Sequence, residues 1–386
     1  MASMPLLLSE EERELGAALR RYALDRLLPD YARWDRGEPF PRERISELGE
    51  LGVFGIRVPE EYGGSGGSFT MLGVAAEELS RGDFNVSLLL QMAAIAAELL
   101  VAHGSEEQRR AWLPGIASGE KVVAFALTEP GAGSDAAAIA ATARREGEHF
   151  VLAGEKASIS LAGLADGCVV FARTGGAGAR GIGAFLVPLD LPGVSRRVYD
   201  GAGERLSQRG SLFFDEVRVP AAALLGEETG GFVQAMAAFD FNRAVIALAC
   251  LGAARQSLDE TIAFARERRT FGQPLARREG VAFQVAEHAT WISAARLLAY
   301  ETLALRDRGR PHTAEAAMVK WLGPKVAAEA IHACLLLHGW PGYGRELPFE
   351  QRLRDVIGLE VGDGTPEIMK GVIARSLFGR DHVSYR

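Results

Sequence analysis

The 386-residue sequence predicts an α+β chain in three successive parts: an N-terminal helical domain, a middle antiparallel β domain of barrel or sandwich type, and a C-terminal four-helix bundle. Three observations carry that prediction. Helical periodicity with capping boxes fills the first third. At about Lys121 the texture changes to short β-rich runs broken by glycine. Beyond the Gly-rich "GEETGGF" long amphipathic segments return. The domain ranges that follow are 1–121, 122–226 and 227–386.

In the first part, Ser9 with Glu12 forms a capping box ahead of Leu15, Leu19 and Tyr22, which recur at helical spacing before Pro29. Ser105 with Gln108 opens another helix in "GSEEQRRAWLPGIASGE". Between them "PEEYGGSGGS" reads as a surface loop. It lacks both the Lys-Ser/Thr ending of a P-loop and a GxGxxG at a strand–helix junction. The middle part holds five strand-like runs: "KVVAFALTEPGAGSD", "HFVLAGEKASIS", "GCVVFART", "GIGAFLVPLD" and "LFFDEVRVP". Helices are expected next over about 232–268, 279–308 and 313–337, with a last one after Thr365. Short connections between them suggest an antiparallel bundle.

Apolar content of 48% and charged content of 24% are those of an ordinary globular protein. The net charge of -7 argues against nucleic acid and against anionic membrane surfaces as partners. Cys168, Cys250 and Cys334 show no metal-ligand spacing, so no metal is expected and buried free thiols are. The N-terminus has no basic region ahead of an apolar one, so no targeting segment is read there. The uncharged stretch from Phe84 to Ala97 is shorter than the ~20 residues a bilayer requires. The expectation is a cytoplasmic protein.

No HExxH, GxSxG, P-loop, zinc or kinase signature is present. Polar, Gly-containing segments at the ends of apolar elements stand out instead. "ALTEPGAGSD", residues 126–135, either offers backbone N–H groups and the Ser134 hydroxyl to a ligand or simply connects strands. "FDFNR", residues 239–243, sets Asp240 and Arg243 on one helix face, to pair with each other or with a polar ligand tail. "RERRTFGQPL", residues 266–275, places Arg268 and Arg269 at a helix end, for a phosphate or for the helix dipole. In "GLEVGDGTPEIMKGV", residues 358–372, Asp363 precedes a Thr-Pro-Glu helix start. It is a turn-former or a carboxylate aimed at a substrate, and the residues alone leave both open.

In order and spacing these segments resemble those of the acyl-CoA dehydrogenase family. "ALTEPGAGSD" is similar to its TEPxxGSD loop, "FDFNR" to its FDxxR, "RRTFGQPL" to its RxxFGxPL and "RLRDVIGLEVGDGT" to its RD(A/V)…YEGT. "VPEEYGGSGG" and "GSEEQRRAWLPGIASGE" resemble its N-terminal segments. The resemblance covers nearly the whole chain. It implies a helical domain, a β domain and a four-helix bundle, with FAD between the last two. It also implies an acyl-CoA substrate, an electron-transfer flavoprotein as electron acceptor, and a homotetramer built as a dimer of dimers. The implied reaction is α,β-desaturation: a carboxylate removes the α-proton while the β-hydrogen leaves as hydride to flavin N5.

By that resemblance Phe125, Leu127, Thr128, Gly133 and Ser134 would wrap the flavin edge, Ser134 also lying close to substrate. Ser158, Ile159 and Ser160 would line its other side, and Asp240 and Arg243 would reach the CoA moiety, with Gly364 beside the substrate. Arg268 and Phe271 would touch the FAD of a neighbouring subunit, with His338 and Gly339 at its adenosine and pyrophosphate half, while Thr365 and Glu367 would meet the adenosine half of FAD. Asp363, in the register counted from Asp355 of the "RD" pair, falls where the family places its catalytic Glu.

The chain departs from the family pattern at four places. The base is Asp, roughly 1.5 Å shorter than Glu by one C–C bond. The family's alternative position for a base, just before the Arg of FDxxR, is Asn242 and cannot serve. "KASIS" carries Ser158 where the family's KxWIT has Trp. Leu335 and Glu279 replace glutamines, and only Gly339 of "LLLHG" matches the family's QIxGG. The Asp and the Trp-less strand together look most like the subgroup acting on cyclohexane- and cyclohexene-carboxyl-CoA. Alternatives on the same fold are an acyl-CoA oxidase, an enoyl-CoA reductase and a non-catalytic flavin-binding protein.

Overall fold

A computed structural model describes residues 8–382. The targeting reading of the extreme N-terminus falls largely on residues 1–7, outside the described residues. Helix α1 (Glu10–Tyr22) begins with the expected box: Ser9 accepts from the Glu12 backbone and Glu12 reaches back to the Ser9 N–H. One π-helical turn, Ala23–Leu27, carries the chain into α2 (Tyr31–Asp35) and α3 (Arg42–Glu50). Then come α4 (Phe69–Leu79) and α5 (Phe84–His103), and α6 (Glu106–Ala117) opens on the second box, Ser105 with Gln108.

The middle part holds β1 (Val123–Ala126), β2 (Thr142–Glu146), β3 (His149–Ile159), β4 (Gly167–Arg173), β5 (Ile182–Pro188), β6 (Val194–Val198) and β7 (Gly210–Pro220). The sheet order is β1-β4-β2-β3-β7-β6, with β5 also on β4. Pairing is mainly antiparallel, but β1 runs parallel to β4 and β2 makes one parallel bridge to it. Two of these strands were not among the five runs read from sequence. β2 and β6 expose most of their side chains, so they carry charged residues and give little apolar signal.

The chain then forms α7 (Gly231–Glu267), a short hairpin β8 (Arg269–Thr270) and β9 (Gln273–Pro274), α8 (Glu279–Asp307) and α9 (Thr313–His338). It closes with α10 (Trp340–Tyr343), α11 (Phe349–Val361) and α12 (Pro366–Phe378). Helices α7, α8 and α9 pack on one another, α11 and α12 pack on α9, and α4 lies across α7 and α8. At one crossing the backbones touch: a Cβ on Gly252 of α7 would come within 2.1 Å of the Glu77 carbonyl oxygen of α4.

Helices α5 and α7 are long and apolar enough to cross a membrane, but both are mostly buried inside the protein. They are the core of the helical layers. Cys168 on β4, Cys250 on α7 and Cys334 on α9 are buried free thiols, and burial raises all three above the usual thiol range.

Candidate active site

A cleft of about 580 Å³ runs where the β domain meets α7, α11 and α12, within the range of small-molecule and cofactor sites. A smaller inner cavity of about 60 Å³ continues from it toward α5. The two share Leu127, Thr128, Ser158, Arg209, Phe239, Gly362 and Asp363.

The β-domain wall depends on two local devices. After β1 the chain enters the 127–135 loop, which is held from behind by Lys156 and Glu129. Lys156 is fully buried and donates to Glu129 Oε1 at 2.6 Å and to the Leu127 carbonyl at 3.0 Å. Burial lowers the Lys156 pKa, which Glu129 opposes. Glu129 in turn accepts from the backbone N–H groups of Ala140 and Ala141. On β3 the register against β7 slips between Lys156 and Ile159, a bulge that puts Ser158 at φ +56°. The Ala157 N–H donates to the Thr128 carbonyl at 2.9 Å, and Arg209 Nη1 donates to the Ser158 carbonyl at 3.0 Å. The bulge and loop therefore form one surface, with Phe125, Leu127, Thr128, Ser158, Ile159 and Ser160 along the inner cavity.

Two helix faces supply the opposite wall. Leu88, Gln91, Met92 and Ile95 lie at i, i+3, i+4 and i+7 on α5, and Phe239, Asn242 and Ile246 at i, i+3 and i+7 on α7. Two buried side-chain oxygens here, Gln91 Oε1 and Asn242 Oδ1, have no hydrogen-bond partner.

Asp363 closes the cleft. Helix α11 is fixed by Asp355, which accepts from the Glu204 N–H at 2.6 Å and from Asn85 Nδ2 at 3.0 Å. It ends at Val361, and Asp363 then takes a left-handed φ of +55° and Gly364 a φ of +107°. Lys320 on α9, fully buried, donates to the Leu359 carbonyl at 2.7 Å and the Gly364 carbonyl at 3.0 Å. It thereby satisfies a carbonyl that the helix end leaves free. Burial brings its pKa down to about 8, with Asp363 pulling the other way. Asn242 Nδ2 donates to Asp363 Oδ2 at 2.8 Å, and Arg243 Nε to the Asp363 carbonyl at 3.4 Å.

Of the residues singled out from sequence, Phe125, Leu127, Thr128, Gly133, Ser134, Ser158, Ile159, Ser160, Arg243, Asp363, Gly364 and Thr365 line one or other cavity. Thr365 also caps α12, accepting from the Ile368 N–H. Asp240 is turned away. It accepts from Arg243 Nη1 at 3.0 Å and from Thr313 Oγ1 at 2.6 Å. Arg268 is exposed, Phe271 stands 96% exposed at the hairpin tip, Gly339 is exposed beyond α9, and Glu367 faces outward. His338 lies in the core, stacked between Phe264 and Phe349 with its Nδ1 at the Cys334 carbonyl. Burial lowers its pKa. These last residues are not brought to the cleft within one chain. Sequence reading missed Gln91, Arg209 and Lys320 and set Asn242 aside. The helical spacing of Leu88, Gln91 and Ile95 is the one signal that could have found any of them.

The wall chemistry fits the flavin that the resemblance implies. Apolar faces (Leu127, Ile159, Phe125) alternate with hydroxyls (Thr128, Ser134, Ser158, Ser160) that can meet a polar ring edge, and Asp363 faces them across the cleft.

Comparison with known proteins agrees. The chain matches the family models described as "Acyl-CoA dehydrogenase, N-terminal domain" over residues 9–120, "middle domain" over 124–217 and "C-terminal domain" over 229–378. It is 37% identical to the mitochondrial short-chain specific acyl-CoA dehydrogenase of Bos taurus, covering 96% of this chain and 90% of that one. It is 36% identical to the acryloyl-CoA reductase (NADH) of Anaerotignum propionicum, with 98% of each covered. A solved glutaryl-CoA dehydrogenase of Mycobacterium smegmatis in complex with FADH2 superposes with a TM-score of 0.94 at 30% identity, over 100% of this chain and 98% of that one.

Proposed function

This chain belongs to the acyl-CoA dehydrogenase family, and on that premise we propose that it desaturates a compact acyl-CoA thioester with Asp363 as the base. It is an FAD-dependent acyl-CoA dehydrogenase. When bound, FAD accepts the β-hydrogen as a hydride.

The observation that carries the assignment of the base is the placement of Asp363. Its carboxylate is the acidic side chain lining both cavities, opposite the Thr128–Ser160 wall. Asp363 Oδ1 makes no hydrogen bond to another described residue and is free to take a proton. Clamps on both sides, Lys320 and Arg243, hold its backbone, so the shorter side chain is delivered by a fixed loop. The apolar walls from α5 and α7 exclude water around the acyl group, which favours proton transfer between weak partners. Arg243, buried beside Asp240, and Ser134 at the open end of the large cleft suit the polar CoA portion.

The inner cavity of about 60 Å³ supports a short acyl group. It is smaller than the ~150 Å³ engineered cavity that admits benzene, so a ring would also occupy the mouth shared with the large cleft. Within the compact class, the Asp base and Ser158 favour a cyclohexane- or cyclohexene-carboxyl thioester. Anaerobic mixing of the yellow protein with a series of thioesters tests this. Cyclohexanecarboxyl-CoA is expected to bleach the flavin faster than butyryl-CoA, and octanoyl-CoA slowest; equal or reversed order removes the alicyclic reading. D363N is expected to lose about 10²–10⁴ of the rate, the usual share of a general base. Undiminished bleaching by D363N removes Asp363 as the base.

The likeness to an acryloyl-CoA reductase keeps one second reading, enoyl-CoA reduction at the same site. Net consumption of an enoyl-CoA with a reduced donor would establish it. An electron-transfer flavoprotein as acceptor, a cytoplasmic location and a homotetramer complete the proposal. Exposed Phe283, Trp291 and Leu297 on α8, with Leu336, Trp340 and Tyr343 after it, support assembly through the bundle. In such an assembly Arg268, Phe271, Gly339 and Glu367, exposed on one chain, serve a neighbour's cofactor or their own subunit's adenosine half, while the buried His338 packs beneath them as a core residue.

A further inference from the structure

Asn242 occupies an expensive position. It sits in the middle of α7, 1% exposed, on the same face as Phe239 and Ile246. Its Nδ2 donates to Asp363 Oδ2 at 2.8 Å, while its own Oδ1 has no partner. A buried amide with one orphaned oxygen is costly relative to a satisfied one. An apolar side chain among these neighbours would stabilise the helix better, so stability does not account for the amide. The hydrogen bond it makes, to a residue 121 positions away in the chain, does.

The partner needs such a contact. Asp363 stands in left-handed backbone between two glycines, and its side chain has two torsions to fix. Lys320 and Arg243 hold only the carbonyls around it. Asn242 is the side chain that holds the carboxylate itself, and it holds one oxygen of the two.

We propose that Asn242 is a positioning residue: by pinning Asp363 Oδ2 it leaves Oδ1 as the atom that receives the α-proton. The inference rests on Asp363 being the base. In the step, the α-C–H bond breaks and an Oδ1–H bond forms. The electron pair left on the α-carbon becomes the α,β double bond, and the β-hydrogen leaves as hydride to the two-electron acceptor that bound FAD would supply. Displacements of about 1 Å in such geometry cost on the order of 10²-fold in rate. Charged groups around the carboxylate are Arg243 on α7 and Lys320 on α9, with Arg209 in the wall of both cavities; Asp240 and Glu360 act on Arg243 and Lys320 in turn. Asn242 is neutral and perturbs none of them by charge.

The test is a cycle of N242A, D363N and the double variant as FAD-loaded proteins. Flavin reduction rate and thioester dissociation constant are read separately by rapid mixing with butyryl-CoA. N242A is expected to slow reduction about 10- to 100-fold with the dissociation constant within about threefold. The double variant is expected to be no slower than D363N alone, because Asn242 acts through the carboxylate. N242D, nearly isosteric, guards against misfolding in N242A. It sets two carboxylates in contact and is expected to move the pH profile of reduction upward by about one unit or more. N242A reducing flavin at wild-type speed, N242A slowing D363N further by its own full factor, or N242D with an unmoved pH profile would each overturn the proposal. D363N at full speed removes the base reading beneath it instead.

Discussion

Asp363 and Gly364 show how much a site can ask of two residues. Both lie at positive φ, +55° and +107°, where Asp is tolerated and Gly is free. A Cβ added at Gly364 would meet Met369 Cε at 2.5 Å in addition to the backbone strain. G364A is therefore expected to lose about 1–3 kcal/mol of stability and to slow flavin reduction, since the loop relaxes by moving the carboxylate. Chemical denaturation and rapid-mixing kinetics on one preparation check both effects. Asp363 itself was legible in the sequence once its register from Asp355 was counted. Asn242 was not, because its value lies in a contact across 121 residues that no local pattern encodes.

At the scale of elements, helix boundaries read from sequence agree with the structure within a residue or two for α7, α8 and α9. None of the three has a side-chain cap; long apolar stripes bounded by Gly-, Pro- and Arg-containing turns fix their ends locally. Helix α11 went unread: Glu350, Arg352, Arg354, Asp355 and Glu360 dilute its apolar face, and their partners come from other elements. Those charges carry a testable cost. Asp83 caps α5 through the Asn85 N–H, but it is fully buried near Asp35 and Asp355. Burial, aided by Asp35, raises its pKa to about 6. A raised carboxyl pKa means stability from this group is intact below its unfolded value of 3.8 and is lost as pH rises through about 6. D83N keeps a capping oxygen and is expected to melt higher than wild type at pH 8, the gap closing by pH ~4. Thermal melts across that range decide it.

Across the whole molecule, buried carboxylates on α4 join the N-terminal helices to the bundle, Glu77 most fully, with Glu78 beside it on Arg255. Glu77 on α4 receives Arg255 Nη1 at 2.7 Å from α7, and Arg296 together with Tyr300 OH at 2.6 Å from α8. Burial by itself would raise its pKa, but Arg255 and Arg296 outweigh that and take it down to about 2. The stability it supplies is present above pH 4.5 and is lost as pH falls through about 2. E77Q leaves the buried Arg296 guanidinium without its anion and Arg255 with Glu78 alone, and is expected to cost about 3–5 kcal/mol at neutral pH. It should also flatten the acid limb of the stability curve, read by denaturant melts from pH 7 to 3. The walls of the acyl cavity come from α5 and α7, and α4, which the joint ties to α7, also packs on α5, so E77Q also tests whether substrate choice depends on that docking.

The three sequestered cysteines divide the same architecture into strata. Cys168 belongs to the sheet, Cys250 to the long central helix and Cys334 to the helix beneath the base loop. No alkylating reagent reaches any of them until its stratum parts, so the sequence in which they take up label is a timetable of how the protein comes undone.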